Sequence, residues 1–387
     1  IVFGDWSSDV CSSDLQNSKI TYNSNNRSSP YLDYYPLIVF IMQKLAYFDS
    51  AHDTPEEIIT AAGLLPYKIV GDVHVSNEPA DQYLANFFCP QARSFLTEAL
   101  GHSKEWAGIV VAHGCDATNR HFDIWKMHVE TPFLHWINTP MKTDKHAAKF
   151  YKVELERFRR ELETKFNTQI TPDKIKAAIK ESNTIKGKLR ALAALRTTKD
   201  ISNTEYFNTV KAIFTVPRSD ALPMLEKKLK EWEAKPAFPA NKKKILLTGS
   251  DITYSEWWQM LDEAGLRVVR DDLSIGERYF AHAIPAKDDP LDALIDYNFN
   301  VPRPSTRHPP DSRLDFLLKQ LQETKVDAVV SQNVKFCEVY AFDSVFINNA
   351  IKAKGTPVMH LEREFTPIID QQLINRLEAF RETLGES

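Results

Sequence analysis

The chain has 387 residues, is 43% hydrophobic and 26% charged, and carries a net charge of −4. That is length enough for two or three domains with cores of their own, without the polycationic surface that tracks nucleic acid. Four cysteines at irregular spacing do not make a secreted disulfide framework, and the longest apolar run, 37–42, is far below the ~20 residues that span a bilayer; a cytoplasmic protein with no nucleic-acid or membrane partner is expected.

The chain opens on Ile1 with IVFGDWSSDVCSSDL, a Ser-Ser-Asp repeat without helical or strand period, followed by an Asn/Ser/Tyr-rich stretch. Residues 1–42 are expected to be artefactual or disordered, the first fifteen resembling a translated sequencing adapter, and Cys11 is set aside with them. From residue 43 helix and strand signals alternate. TPEEIITAAGLLP (54–66) has a threonine cap, a proline at the first helical position, acids in the first turn and a glycine stop. YKIVG (67–71) reads as a strand, Pro90 starts a helix to about Leu100, and WAGIVVAHGC (106–115) is an apolar run of the buried parallel type. MHVETP (127–132) is expected as a third strand.

Over 142–235 apolar residues recur at helical spacing among dense opposite charges, with Gly187 the only glycine. PAFPANKKK (236–244) reads as a linker. ILLTGS, LRVVRDD, DAVVSQN and TPVMHLERE then supply strands, alternating with helices at 255–265 and near 311–324, 339–354 and 368–383. The economical fold is α/β, with two doubly wound parallel-sheet domains of Rossmann or flavodoxin type joined by a helical segment. The boundaries are 43–141 for the first domain, 142–240 for the helical segment and 241–387 for the second. No G-x-x-x-x-G-K-[ST] loop and no G-x-G-x-x-G after a strand occur, so no nucleotide is expected on this chain.

Cys89 in NFFCPQARSFL, Cys115 in GIVVAHGCDATNRHFDIW and Cys337 in DAVVSQNVKFCEVYAF each stand where a strand-like run gives way to a loop or helix start. Ligands in open α/β sheets gather beyond the carboxyl ends of strands, and a helix start favours a thiolate. If the fold brings the three together they make a three-thiolate site for an iron–sulfur cluster with one iron left open. Singly, each is as readily a small buried hydrophobe.

The segments around them resemble the 2-hydroxyacyl-CoA dehydratase and benzoyl-CoA reductase family. The resemblance rests on TPEEIITAAGLLPYKIVG, NFFCPQARSFL, GCDATNRHFDIW, DEAGLRVVRDDLSIGERYF, VDAVVSQNVKFCEVYAFD and GTPVMHLEREFTPIIDQQLINRLEAFRETL, in the family's order from about residue 44 onward. It implies a 4Fe–4S cluster on Cys89, Cys115 and Cys337, an acyl-CoA substrate, a homologous second subunit forming a heterodimer, and a separate ATP-dependent iron–sulfur activator protein. The implied reaction removes water from an (R)-2-hydroxyacyl-CoA to give a 2-enoyl-CoA. One-electron reduction of the thioester carbonyl gives a ketyl radical that expels hydroxide, and the β-hydrogen then becomes acidic. Two alternatives are a subunit of an ATP-dependent benzoyl-CoA reductase and a non-catalytic electron-relay or scaffold subunit.

Other residues carry secondary expectations. His113 and Glu57 are candidate proton-transfer groups, with a structural role weighed against each, and Glu56 shares the helix start with Glu57. Arg278 is a candidate for the CoA phosphates, or an ion-pair partner of Asp271 or Asp272. Asp116 is expected to cap the helix after Cys115, and Trp257 and Trp258 to divide between core and interface. Ser274 stands where some relatives have a cysteine, which argues for a single cluster rather than a double one.

Overall fold

Four short apolar runs pair side by side to make the first sheet. The computed structural model describes residues 42–49, 52–302, 304, 306–308 and 311–385; the opening segment and Cys11 lie outside the described residues. The chain runs β1 (Lys44–Phe48), α1 (Glu56–Ala61), β2 (Leu65–Lys68), α2 (Glu78–Asp81), α3 (Pro90–His102), β3 (Gly108–Ala112), α4 (Asp116–His128) and β4 (Leu134–Ile137). All pairings are parallel, in the order β2-β1-β3-β4. Every residue of β3 is buried, as in a strand covered by helices on both faces.

Two expectations shift here. The strand expected at 127–132 is the end of α4, whose last turn carries Lys126 and His128, cations that suit a helix carboxyl end; the strand follows at β4. The central strand β1 comes from KLAYF, a run too short to announce itself beside the segment before it.

Four helices follow: α5 (Lys145–Phe166), α6 (Pro172–Leu195), α7 (Asn203–Ala212) and α8 (Arg218–Glu233). Asp144 caps α5 by accepting the amides of His146 and Ala147, and Thr171 caps α6 ahead of Pro172. The 24 residues of α6 span ~36 Å, which lets one helix serve two cores. Ile175 and Ile179 pack with the first sheet, whereas Ile185, Leu189 and Leu192 pack with the second.

The second sheet takes β5 (Lys243–Gly249), α9 (Ser255–Glu263), β6 (Leu266–Asp271), α10 (Glu277–Phe280), α11 (Pro290–Asn300), α12 (Asp311–Glu323), β7 (Ala328–Val334), α13 (Glu338–Lys352), β8 (Val358–Arg363) and α14 (Gln371–Thr383). Its strands are parallel in the order β6-β5-β7-β8. Helices α9 and α14 pack with the main core on one face, while Leu317 of α12 and Ile347 and Ile351 of α13 close a smaller core on the other. Trp257 and Trp258 are both buried in the main core, so neither serves an interface. Helix α11 returns to the first sheet, where Leu291, Leu294 and Ile295 join Leu45, Tyr47 and Ile58. The protein is thus an α/β fold of two doubly wound parallel sheets. Among the described residues no helix is long and apolar enough to cross a membrane.

Candidate functional site

Each of the three cysteines is the residue immediately before a helix: Cys89 before α3, Cys115 before α4 and Cys337 before α13. Local sequence forces this placement. Pro90 keeps Cys89 out of the helical region, at φ −46° and ψ 119°. Cys115 follows β3 through a short turn and shares a reciprocal capping box with Thr118, whose hydroxyl lies 3.3 Å from the sulfur. That cap belongs to Cys115, so Asp116 is the first helical residue instead. Phe336 adopts a left-handed φ of 64°, a strained conformation for a bulky side chain, and this turns the chain so that Cys337 heads α13.

The three thiols are free and line one cavity of about 80 Å³. Burial pushes the Cys89 thiol up to about 12, with Cys337 and Cys115 adding repulsion and the amides of Gln91 and Ala92 opposing it. Burial likewise raises Cys337, while the Tyr340 amide and the Ser250 hydroxyl work the other way. Cys89 and Cys337 thus resist ionisation unless a cationic group joins them. Among the described residues no three His, Cys, Asp or Glu side chains converge on a position for one metal ion. A lone ion needs every sulfur at ~2.3 Å, whereas a cluster spreads its thiolates over several irons.

The walls are largely apolar, including Phe48, Ile69, Phe95 and Ile275, and the polar residues on them are restrained. Lys68 donates to the Asp49 carbonyl at 3.0 Å. Asp251 accepts from the Ser274 amide at 2.7 Å and from the Ser274 hydroxyl, while its carbonyl accepts from Arg363 at 2.6 Å. Ser274 is fully buried and anchors a carboxylate at the cavity edge. Pro304 and Thr306 also line the cavity. Their segment is tied down by Arg307, which is buried and donates to the Asp53 carboxylate and the His113 carbonyl.

The other anticipated residues stand behind the walls. His113 is partly buried, its Nδ1 3.3 Å from the Thr139 carbonyl and its ring against Trp136, and it does not line the cavity. Glu57 accepts from Ser182 at 2.7 Å and lies 3.7 Å from the Lys186 ammonium. It lines a second chamber of about 20 Å³, which shares Asp49 and Lys68 with the cysteine cavity. In that chamber Glu56 accepts from Tyr47, Arg218 and Tyr279. Burial alone would push its carboxyl up, but the Arg218 guanidinium and the Tyr47 and Tyr279 hydroxyls outweigh this and hold it below its usual range. His52 also faces the chamber, held neutral by burial and by Lys68, Arg278 and Lys186.

Arg278 is fully buried and donates through Nη2 to the Tyr340 hydroxyl at 2.8 Å. Asp271 and Asp272, its anticipated ion-pair partners, bond instead to Arg196 at 3.1 Å and Arg313 at 2.6 Å. A phosphate-binding cation must reach solvent, and this one does not. Sequence reasoning missed Lys68, Asp251, Arg307 and Tyr340; each comes to the site through tertiary contacts without a local motif.

Residues 52–384 match the family model of the 2-hydroxyglutaryl-CoA dehydratase D-component. The chain is similar to the (R)-phenyllactyl-CoA dehydratase beta subunit of Clostridium sporogenes, at 22% identity over 86% of this chain and 89% of that one. It is also similar to the (R)-2-hydroxyglutaryl-CoA dehydratase beta subunit of Acidaminococcus fermentans, at 23% identity over 85% and 90%. One of the benzoyl-CoA reductase subunits of Thauera aromatica matches at 22% identity over 73% and 76%. With its fold and nearly all of its described length accounted for, the chain belongs to the 2-hydroxyglutaryl-CoA dehydratase D-component family.

Proposed function

We propose that this chain is the iron–sulfur subunit of a cytoplasmic 2-hydroxyacyl-CoA dehydratase, converting an (R)-2-hydroxyacyl-CoA to a 2-enoyl-CoA together with a homologous subunit and an ATP-dependent activator. The observation that carries the proposal is the meeting of Cys89, Cys115 and Cys337 on one cavity, each at the head of a different helix. These residues would hold a 4Fe–4S cluster, which when bound supplies one-electron chemistry and, at an iron without a protein thiolate, a Lewis-acid position.

The chain's own residues have definable tasks. Three helix starts turn their positive ends toward the thiolates. Phe48, Ile69, Phe95 and Ile275 exclude water, which strengthens every electrostatic interaction inside. His113 steadies the β3–α4 turn that carries Cys115 through its contact with the Thr139 carbonyl. Glu57, bonded to Ser182 and facing Lys186, stands in the rear chamber rather than touching substrate. Arg278 acts through Tyr340.

Cavity size favours one division of labour. About 80 Å³ is well below the ~300 Å³ at which ligand pockets begin, which supports placing the acyl-CoA on the homologous subunit and an electron-relay role here. The test is iron and acid-labile sulfide on anaerobically purified protein, then turnover with partner and activator. About four of each per chain, with electrons needed only in catalytic amount, is the expected result. Two electrons consumed per turnover would move the chain to the benzoyl-CoA reductase reading, and no iron after reconstitution would end the cluster assignment.

A further inference from the structure

Arg278 poses a problem that its ion-pair surroundings do not solve. It is fully buried, yet its Nε and Nη1 have no hydrogen-bond partner among the described residues. An unsatisfied buried guanidinium is costly, and one retained in a fold calls for an explanation. Of the carboxylates whose charge reaches it, Asp272 bonds Arg313 through Oδ2 with its Oδ1 unpartnered, and Asp251 bonds Ser274; neither makes a hydrogen bond to Arg278. Its one bond goes to the hydroxyl of Tyr340, and Tyr340 lines the cysteine cavity.

The direction of that bond is fixed by chemistry. Arginine has only donors, so the Tyr340 oxygen accepts, and the phenolic proton has to point away from Arg278. Among the described residues the Tyr340 hydroxyl makes no second hydrogen bond, although the Asp251 and Asp272 carboxylates act on it electrostatically. Arg313 lies over the same ring at 5.1 Å from its centre, adding a second cation that polarises the phenol.

We propose that Tyr340, oriented from behind by Arg278, is a hydrogen-bond donor into the cysteine cavity, acting as a positioning residue that tunes the thiolate-bound group held there. The inference rests on the cluster reading above. It assigns the Tyr340 proton to a sulfur of that group or to a small ligand on it. Hydrogen bonds to cluster sulfurs raise the reduction potential, so loss of the donor lowers it.

The test compares the wild type with Tyr340→Phe and Arg278→Met, each purified anaerobically with the partner subunit. The readouts are iron per chain, the potential by redox titration, and the hyperfine signature of an exchangeable proton near the reduced cluster. Tyr340→Phe is expected to keep wild-type iron and lose the exchangeable proton. Its ratio of oxidised to reduced cluster at fixed potential should rise about tenfold, equivalent to ~59 mV for one electron. Arg278→Met, which leaves the hydroxyl but frees its orientation, is expected to shift in the same direction by less. Wild-type iron with unchanged potential and proton signature in Tyr340→Phe would overturn this inference alone. A wild-type chain that takes up no iron would overturn the cluster reading and this inference together.

Discussion

Cys337, half-buried, and His121, fully buried, show how differently single side chains can matter. Replacing Cys337 by serine removes a soft thiolate but keeps the size and the helix-heading position, so the fold should stand while the cavity loses its affinity for iron. The expected outcome is loss of most of the iron per chain and at least a hundredfold drop in turnover with partner and activator, with an unchanged circular-dichroism spectrum; full activity would remove Cys337 from the site. His121 does the opposite work. It is fully buried beside Phe48 and Trp125, and burial lowers it from 6.5 to about 3, only slightly opposed by the Ala92 backbone. The unfolded chain therefore binds a proton below 6.5 that the folded chain refuses. The stability linked to neutral His121 is present above pH 6.5 and declines as pH falls toward about 3, at up to ~1.4 kcal/mol per pH unit. Denaturant unfolding at pH 7 and pH 5 should show His121→Phe closing part of that gap, and an equal pH dependence in both proteins would refute the assignment.

Strand ends and helix starts govern the site at the next scale. Gly249 ends β5 at a φ of 125°, and a Cβ there would collide with the Gln332 backbone on β7. Since Ser250 and Asp251 follow directly onto the cavity wall, Gly249→Ala should cost several kcal/mol and also lower iron uptake, both read on one preparation by denaturant midpoint and iron assay. A stable, fully loaded variant would mean that this turn is adaptable. The strands and helix starts that frame the site were largely legible in sequence, because IVVA and AVVS are continuous apolar runs and Pro90 marks a helix start by its fixed φ. The end of α4 was not, since MHVE fits helix and strand alike until Lys126 and His128 are weighed against the dipole. Nor were Tyr340, Arg307 and Lys68 legible as site residues. Their roles come from contacts made across 62 residues for Tyr340 with Arg278 and 254 for Arg307 with Asp53, and no local period encodes these.

At the scale of the molecule, the cavity is a joint between two sheets. Cys89 and Cys115 lie just before the helices α3 and α4 beside the first sheet, and Cys337 follows β7 of the second. The joint holds only if the halves are fixed against each other. Helix α6 does this through its two cores, while the Asp53–Arg307 pair, with 1% and 0% of the side chains exposed, ties the cavity segment carrying Pro304 and Thr306 to the first half. Removing one member of such a buried pair leaves an uncompensated charge, at ~3–5 kcal/mol. Arg307→Met should lose about that much stability and also free the segment carrying Pro304 and Thr306, exposing Cys89 and Cys115 of the iron-free chain to faster thiol alkylation. Adding Asp53→Asn removes the stranded charge, leaving a neutral amide that still accepts from Asn298, which bonds Asp53 at 2.9 Å. The double variant should therefore be less destabilised than the sum of the single ones, with a coupling of ~1–3 kcal/mol. Alkylation should remain fast in the double variant, because the roof segment has still lost its anchor. If recovery of stability also restored protection of the thiols, the pair would serve the fold without anchoring the segment that covers them.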